Sequence, residues 1–123
     1  MGGGFGAAFP WHKHPNCVVE AVADLTPERR DGLMKAYGCN KSYQSLEELV
    51  RDRNVDAVAV FSGAPDHVKH CVTALRAGKH VYVEKPLAHS IEECRVMVRV
   101  AREAGPRQRC GAPRPRGRRR GPR

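Results

Sequence analysis

No apolar run in this sequence approaches the roughly 20 residues that cross a bilayer. No charged segment followed by an apolar one opens the chain, so neither a membrane span nor a secretory leader is expected. The five cysteines, at 17, 39, 71, 94 and 110, lack the pattern of a framework. None forms a C-x-x-C pair and the number is odd, which argues against a disulfide framework and against a zinc knuckle. Reduced thiols in a cytoplasmic protein are the expectation. The last stretch, residues 106–123, lacks Val, Ile, Leu, Phe, Tyr and Trp, and it also lacks acidic residues. With nothing to bury it is expected to be a disordered basic tail.

The charge divides at the same point. Eight arginines in residues 106–123 supply +8 of the net +9, whereas residues 1–105 set 14 basic side chains against 13 acidic ones. The basicity therefore belongs to the tail. No aromatic residue interleaves with its arginines, so it offers no stacking platform for single strands. A contact with nucleic acid or another polyanion would be phosphate-directed and unspecific, and this is the weaker of two functional readings.

Residues 1–105 are patterned differently. Val18 to Ala23 is a valine-rich run closed by Asp24, which reads as a buried strand. Thr26-Pro27 opens a helix, with Thr able to cap and Pro suited to the first position, and Leu33, Met34 and Tyr37 give it an apolar face before Gly38. Ser45-Leu46-Glu47-Glu48 and Ser90-Ile91-Glu92-Glu93 are capping boxes and predict two more helix starts. Asp56 to Phe61 and His80 to Glu84 read as strands. Between them Pro65 opens a helix whose apolar face is Val68, Cys71, Val72 and Leu75, stopped by Gly78. Cys94, Met97, Val98 and Ala101 repeat that spacing up to Gly105. Apolar strands alternating with amphipathic helices predict an α/β fold, a parallel sheet covered on both faces.

Three groups of residues carry chemistry. Gly2-x-Gly4-x-x-Ala7 fits a dinucleotide-binding turn, in which glycines allow a sharp bend and close approach of backbone to a pyrophosphate. Phe5 and Gly6 would offer backbone N–H groups to the phosphates. Asp24 ends a strand 20 residues after Gly4, where an acid can accept hydrogen bonds from the adenosine ribose. A 2′-phosphate would be repelled by Asp24, which favours NAD, and Arg29 and Arg30 leave NADP possible. The third group is Ser62-Gly63-Ala64-Pro65-Asp66-His67 together with Ala77-Gly78-Lys79-His80-Val81-Tyr82-Val83-Glu84-Lys85-Pro86-Leu87-Ala88. The pairs His12/His14 and His67/His70 have no acidic or thiolate partner at ligand spacing, so no metal site is expected.

In these motifs residues 2 to 105 resemble the glucose–fructose oxidoreductase / inositol dehydrogenase (Gfo/Idh/MocA) family. Its members carry a Thr-Pro-type loop with a histidine, then Ala-Gly-Lys-His-Val and Glu-Lys-Pro. The resemblance implies that Lys85 lies beside the reacting hydroxyl and the cofactor amide, where an ammonium can orient an alcohol and stabilise alkoxide charge. It implies that Glu84 contacts the cofactor and holds the lysine, and that Pro86 follows a cis peptide. Ser62 matches a residue that touches the cofactor. His67 matches a loop histidine near it, with a capping or solvated histidine as the competing reading. Gly63 departs from the family's usual proline.

The resemblance also defines what these residues do not supply. The family's first strand precedes the glycine turn, and here Met1 stands directly before Gly2. In the strand order 3-2-1-4-5-6 that strand is central. The expected fold is thus a Rossmann-like doubly wound sheet lacking its first strand, in residues 1–105, with the tail in residues 106–123. The family's second domain, which brings the substrate pocket and proton-transfer residues, has no counterpart. After Gly105 the abrupt change to Arg, Pro and Gly is what a shifted reading frame in a GC-rich gene would produce. The implied function is the NAD(P)-binding half of an oxidoreductase acting on a sugar, polyol or related hydroxy compound. These 123 residues alone are expected to be catalytically incomplete.

Overall fold

The computed structural model describes residues 9–105. The glycine-rich segment with Gly2, Gly4, Phe5, Gly6 and Ala7, and residues 106–123, lie outside the described residues. Strands and helices alternate in the order β1 (Val22–Ala23), α1 (Pro27–Tyr37), β2 (Ser42–Tyr43), α2 (Leu46–Leu49), β3 (Ala57–Val60), α3 (His67–Arg76), β4 (His80–Val83) and α4 (Ile91–Glu103). Short 3-10 turns at Trp11–Lys13 and Ala64–Asp66 precede β1 and α3.

The helices begin and end where the sequence signals stand. Ser45 Oγ accepts from the Glu48 N–H at 3.3 Å, and Ser90 Oγ accepts from the Glu93 N–H at 3.2 Å. The returning glutamates overshoot the cap by one residue, accepting from the Gln44 and His89 N–H groups at 3.1 and 2.8 Å. Gly38, Gly78 and Gly105 all take positive φ just past α1, α3 and α4, where a β-carbon would be strained. Thr26 is the exception: it occupies the cap of α1, but its side chain makes no capping bond. Its own N–H is instead held by Asp24 Oδ1 at 2.8 Å.

All the strand pairing is parallel. Val22 pairs with Ser42 and Ala23 with Tyr43, while Ala57, Val58, Ala59 and Val60 pair with His80, Val81, Tyr82 and Val83. The pairs form two separate sheets, β1-β2 and β3-β4. In a 3-2-1-4-5-6 order β1, β2, β3 and β4 take places two, three, four and five, so the break falls at place one. Three strands are shorter than their apolar runs. Val18 is 81% exposed, and only Val22 and Ala23 of the Val18–Ala23 run have ladder partners, because β2 supplies only two residues. β2 itself was not anticipated, since Ser42-Tyr43 is too short and too polar to read as a strand.

The core lies on one side of β3 and β4. Val58, Val60, Cys71, Ala74 and Met97 pack with Leu49 and Val55, and Val81 and Val83 lie against them. The buried stripe of α3 is His67, Cys71, Ala74 and Leu75, one position round from the stripe read in the sequence. The other face differs from expectation. Among the described residues it is not covered by a helix: Ala57 and Ala59 are exposed, and Tyr82 is 44% exposed. Phe9, Trp11 and Phe61 gather on Tyr82, with Trp11 edge-on to it at 5.5 Å between centroids.

At the amino-terminal ends of the strands a polar network ties the loops. Lys41 Nζ reaches Glu20 Oε1 at 2.7 Å and Asp52 Oδ2 at 3.0 Å. Tyr43 donates to Asp52 Oδ2 at 2.9 Å, and the Asn54 N–H donates to Asp52 Oδ1 at 2.8 Å. Lys79 Nζ caps the carbonyls of Asp52 and Val55 at 2.9 and 2.6 Å. The Asn54 amide, Lys41 and Tyr43 together hold the Asp52 carboxyl down at about 2, and the two carboxylates push the Lys41 ammonium up.

Candidate functional site

The carboxyl ends of the parallel strands carry the residues singled out in the sequence. Chain leaving β1 presents Asp24, chain leaving β3 presents Ser62, and chain leaving β4 presents Glu84, Lys85 and Pro86. The exits from β1 and β4 each prolong their ladder by one bond. The Asp24 N–H donates to the Tyr43 carbonyl at 3.3 Å, and the Glu84 N–H donates to the Val60 carbonyl at 3.1 Å. Side chains beyond a strand end are aimed by such bonds, and a ligand crevice in open α/β sheets lies at this edge.

Asp24 is half-buried, with Oδ1 committed to the Thr26 N–H. Its other oxygen makes no hydrogen bond with a described residue, so it can accept a hydroxyl. Arg30, from the first turn of α1, lays Nη1 on the Asp24 carbonyl at 2.7 Å. Of the two arginines flagged in the sequence, Arg30 is the one brought to the strand end; Arg29 is exposed.

Across the break, Lys85 is exposed and the Lys85–Pro86 peptide is cis. Glu84 does not reach the lysine ammonium. Its Oε1 accepts from the Lys85 backbone N–H at 3.0 Å, so it fixes the bend on which Lys85 stands. Ser62 is half-buried, and its hydroxyl shares a hydrogen bond of 2.7 Å with His70 Nδ1. That pairing joins a loop to the next turn of α3 and has no signal in the sequence.

His67 begins α3, the position the family resemblance gave it, but it is neither solvated nor an exposed cap. It is 2% exposed and lies on the core stripe of α3. Nδ1 is 2.7 Å from the Pro86 carbonyl oxygen and Nε2 is 2.8 Å from the Ser62 carbonyl oxygen. Both ring nitrogens are thus committed to backbone, and neither is turned to a ligand. The signal for burial was present, since His67, Cys71, Ala74 and Leu75 fall at i, i+4, i+7 and i+8.

Other chemistry is absent from this edge. Among the described residues no three His, Cys, Asp or Glu side chains are grouped to hold a metal ion. Cys17, Cys39, Cys71 and Cys94 are not in disulfides, and burial pushes the Cys39 thiol up, away from nucleophilic use. A groove of about 470 Å³ runs along the outer side of α4, between Ile91, Cys94, Val98 and Arg102, and not at the strand ends. No helix among the described residues is long and apolar enough to cross a membrane.

The Gfo/Idh/MocA family model, described as an oxidoreductase family with an NAD-binding Rossmann fold, matches residues 2–111. Over 87 residues the chain is 45% identical to 1,5-anhydro-D-fructose reductase of Ensifer adhaerens, an overlap of 71% of this chain and 26% of that protein. Scyllo-inositol dehydrogenase of Lactobacillus casei, solved with NAD(H) and scyllo-inositol, aligns with a TM-score of 0.72 and 26% identity, covering 80% of this chain and 29% of its own. KijD10, a 3-ketoreductase of Actinomadura kijaniata solved with NADP and TDP-benzene, aligns with a TM-score of 0.72 and 32% identity, covering 77% of this chain and 29% of its own. The chain spans about a quarter of the length of the curated relatives it matches. With parallel strands in matching places and the strand-end motifs set at one edge, the chain belongs to the Gfo/Idh/MocA oxidoreductases and carries their NAD(P)-binding Rossmann domain.

Proposed function

We propose that residues 1–105 hold the cofactor in an oxidoreductase that acts on a sugar, polyol or related hydroxy compound. The observation that carries this reading is the placement of Asp24, Ser62 and Lys85, each just beyond the carboxyl end of a parallel strand. When bound, the nicotinamide supplies hydride exchange. Asp24 accepts hydroxyl groups of the adenosine ribose through the oxygen that Thr26 leaves free. Gly2, Gly4, Phe5, Gly6 and Ala7 are assigned to the pyrophosphate by sequence alone, since they lie outside the described residues. Ser62 and Pro86 line the nicotinamide end. Lys85 orients the reacting hydroxyl and stabilises negative charge that develops on its oxygen. Glu84 acts on the backbone beneath the lysine, and the direct cofactor contact expected of it is not needed for that role.

The same residues set the cofactor preference. A 2′-phosphate placed on the ribose would meet the Asp24 carboxylate, and the Arg30 guanidinium at this strand end is engaged by the Asp24 carbonyl. We therefore assign NAD(H) over NADP(H). Equilibrium titration of the 123-residue chain with NADH and with NADPH tests the assignment. NADH should bind tighter; tighter binding of NADPH would remove Asp24 from the ribose site.

A further inference from the structure

We propose that His67 is a positioning residue that clamps the loop after β3 to the bend after β4 and thereby sets where Lys85 stands. The inference rests on the cofactor reading above and goes beyond it, because His67 would touch neither cofactor nor substrate. Three observations support it. The side chain is 2% exposed although imidazole is polar, and a buried polar ring is retained where it is fully hydrogen-bonded. Its two contacts, at 2.7 and 2.8 Å, reach carbonyls 19 and 5 residues away, one in each strand-end loop. And β3 and β4 are joined by ladder bonds only as far as Val60 and Val83, plus the Glu84 N–H.

Beyond that point the two loops are free to diverge unless something spans them. His67 is the span. It is anchored as the first residue of α3, on the same helical stripe as Cys71 and Ala74, which are fully buried. The ring is therefore held by the core, and the two carbonyls are held by the ring. Pro86 follows Lys85 directly, so fixing the Pro86 carbonyl fixes the backbone at the lysine. His70 adds a second tie by engaging the Ser62 hydroxyl at 2.7 Å.

The test compares the wild-type chain with His67→Phe, which keeps a ring without donors, and His67→Gln, whose amide carries two N–H groups. Hydrogen exchange is read first, without ligand. His67→Phe should speed exchange at the Lys85 and Leu87 amides and leave the amides of α4 unchanged, with His67→Gln intermediate. Binding is read next, with NADH and with ADP-ribose, which lacks the nicotinamide. His67→Phe should weaken NADH about tenfold, the scale of one lost well-placed hydrogen bond, and ADP-ribose less than twofold. Equal losses for both ligands, or unchanged exchange at Lys85 and Leu87, would overturn the proposal. Failure of the wild type to bind either ligand, with the exchange difference intact, would instead overturn the cofactor reading and leave the clamp standing.

Discussion

At the scale of single residues, Asp52 and Asp24 put the same carboxylate to opposite uses. Asp52, 6% exposed, spends both oxygens on the Asn54 amide, Lys41 and Tyr43, and so braces the amino-terminal ends of the strands. Its carboxyl is held at about 2 in place of 3.8. A depressed carboxyl stabilises the folded state above its unfolded value, and the contribution is lost as pH falls through the folded one. Asp52→Asn is therefore expected to be less stable than the wild type at pH 7, with the difference shrinking between about pH 4 and pH 2. Urea unfolding at several pH values measures it, and a difference that stays constant down to pH 2 would assign the effect to packing. Asp24, by contrast, keeps one oxygen free of hydrogen bonds with the described residues at the opposite edge. Asp24 was legible because it closes an apolar run 20 residues after Gly4, and Ser62 and Lys85 were legible through the family motifs that carry them. The clamp by His67 was not legible, since its partners are backbone carbonyls that only the fold brings within reach.

At the scale of elements, the helices were read more fully than the strands, for a physical reason. A helix carries its own hydrogen bonds and advertises its ends through local residues: Ser45 and Ser90 cap, and Gly38, Gly78 and Gly105 stop. A strand exists only where a neighbour completes its ladder, so Val18 to Ala21 read as strand but stay outside one, and Ser42-Tyr43 becomes one through Val22 and Ala23. The caps give a paired prediction. Ser90→Ala should cost about 1 kcal/mol, the usual loss for a capping serine, because Ser90 Oγ accepts from Glu93 at the start of a thirteen-residue helix. Thr26→Ala should cost much less, because the Thr26 hydroxyl makes no capping bond. Chemical denaturation of both variants checks the contrast; equal losses would show that the Ser90 bond is not what stabilises α4.

At the scale of the whole molecule, the two strand pairs share no ladder among the described residues, and the proposed cofactor residues are divided between them. Asp24 stands on the β1-β2 side, while Ser62, Glu84, Lys85 and Pro86 stand on the β3-β4 side. Natural domains hold only about 5–15 kcal/mol of stability in reserve. A ligand that grips both pairs should raise that reserve by mass action. The central claim, that this edge receives a nicotinamide dinucleotide with its ribose on Asp24, is tested most directly by thermal unfolding of the 123-residue chain and of Asp24→Ala against NADH concentration. The account predicts a wild-type midpoint that climbs with NADH, and a variant that needs about tenfold more NADH for the same rise, as loss of one hydrogen bond to a charged group implies. A wild-type midpoint indifferent to NADH, or an identical rise in the variant, would contradict it.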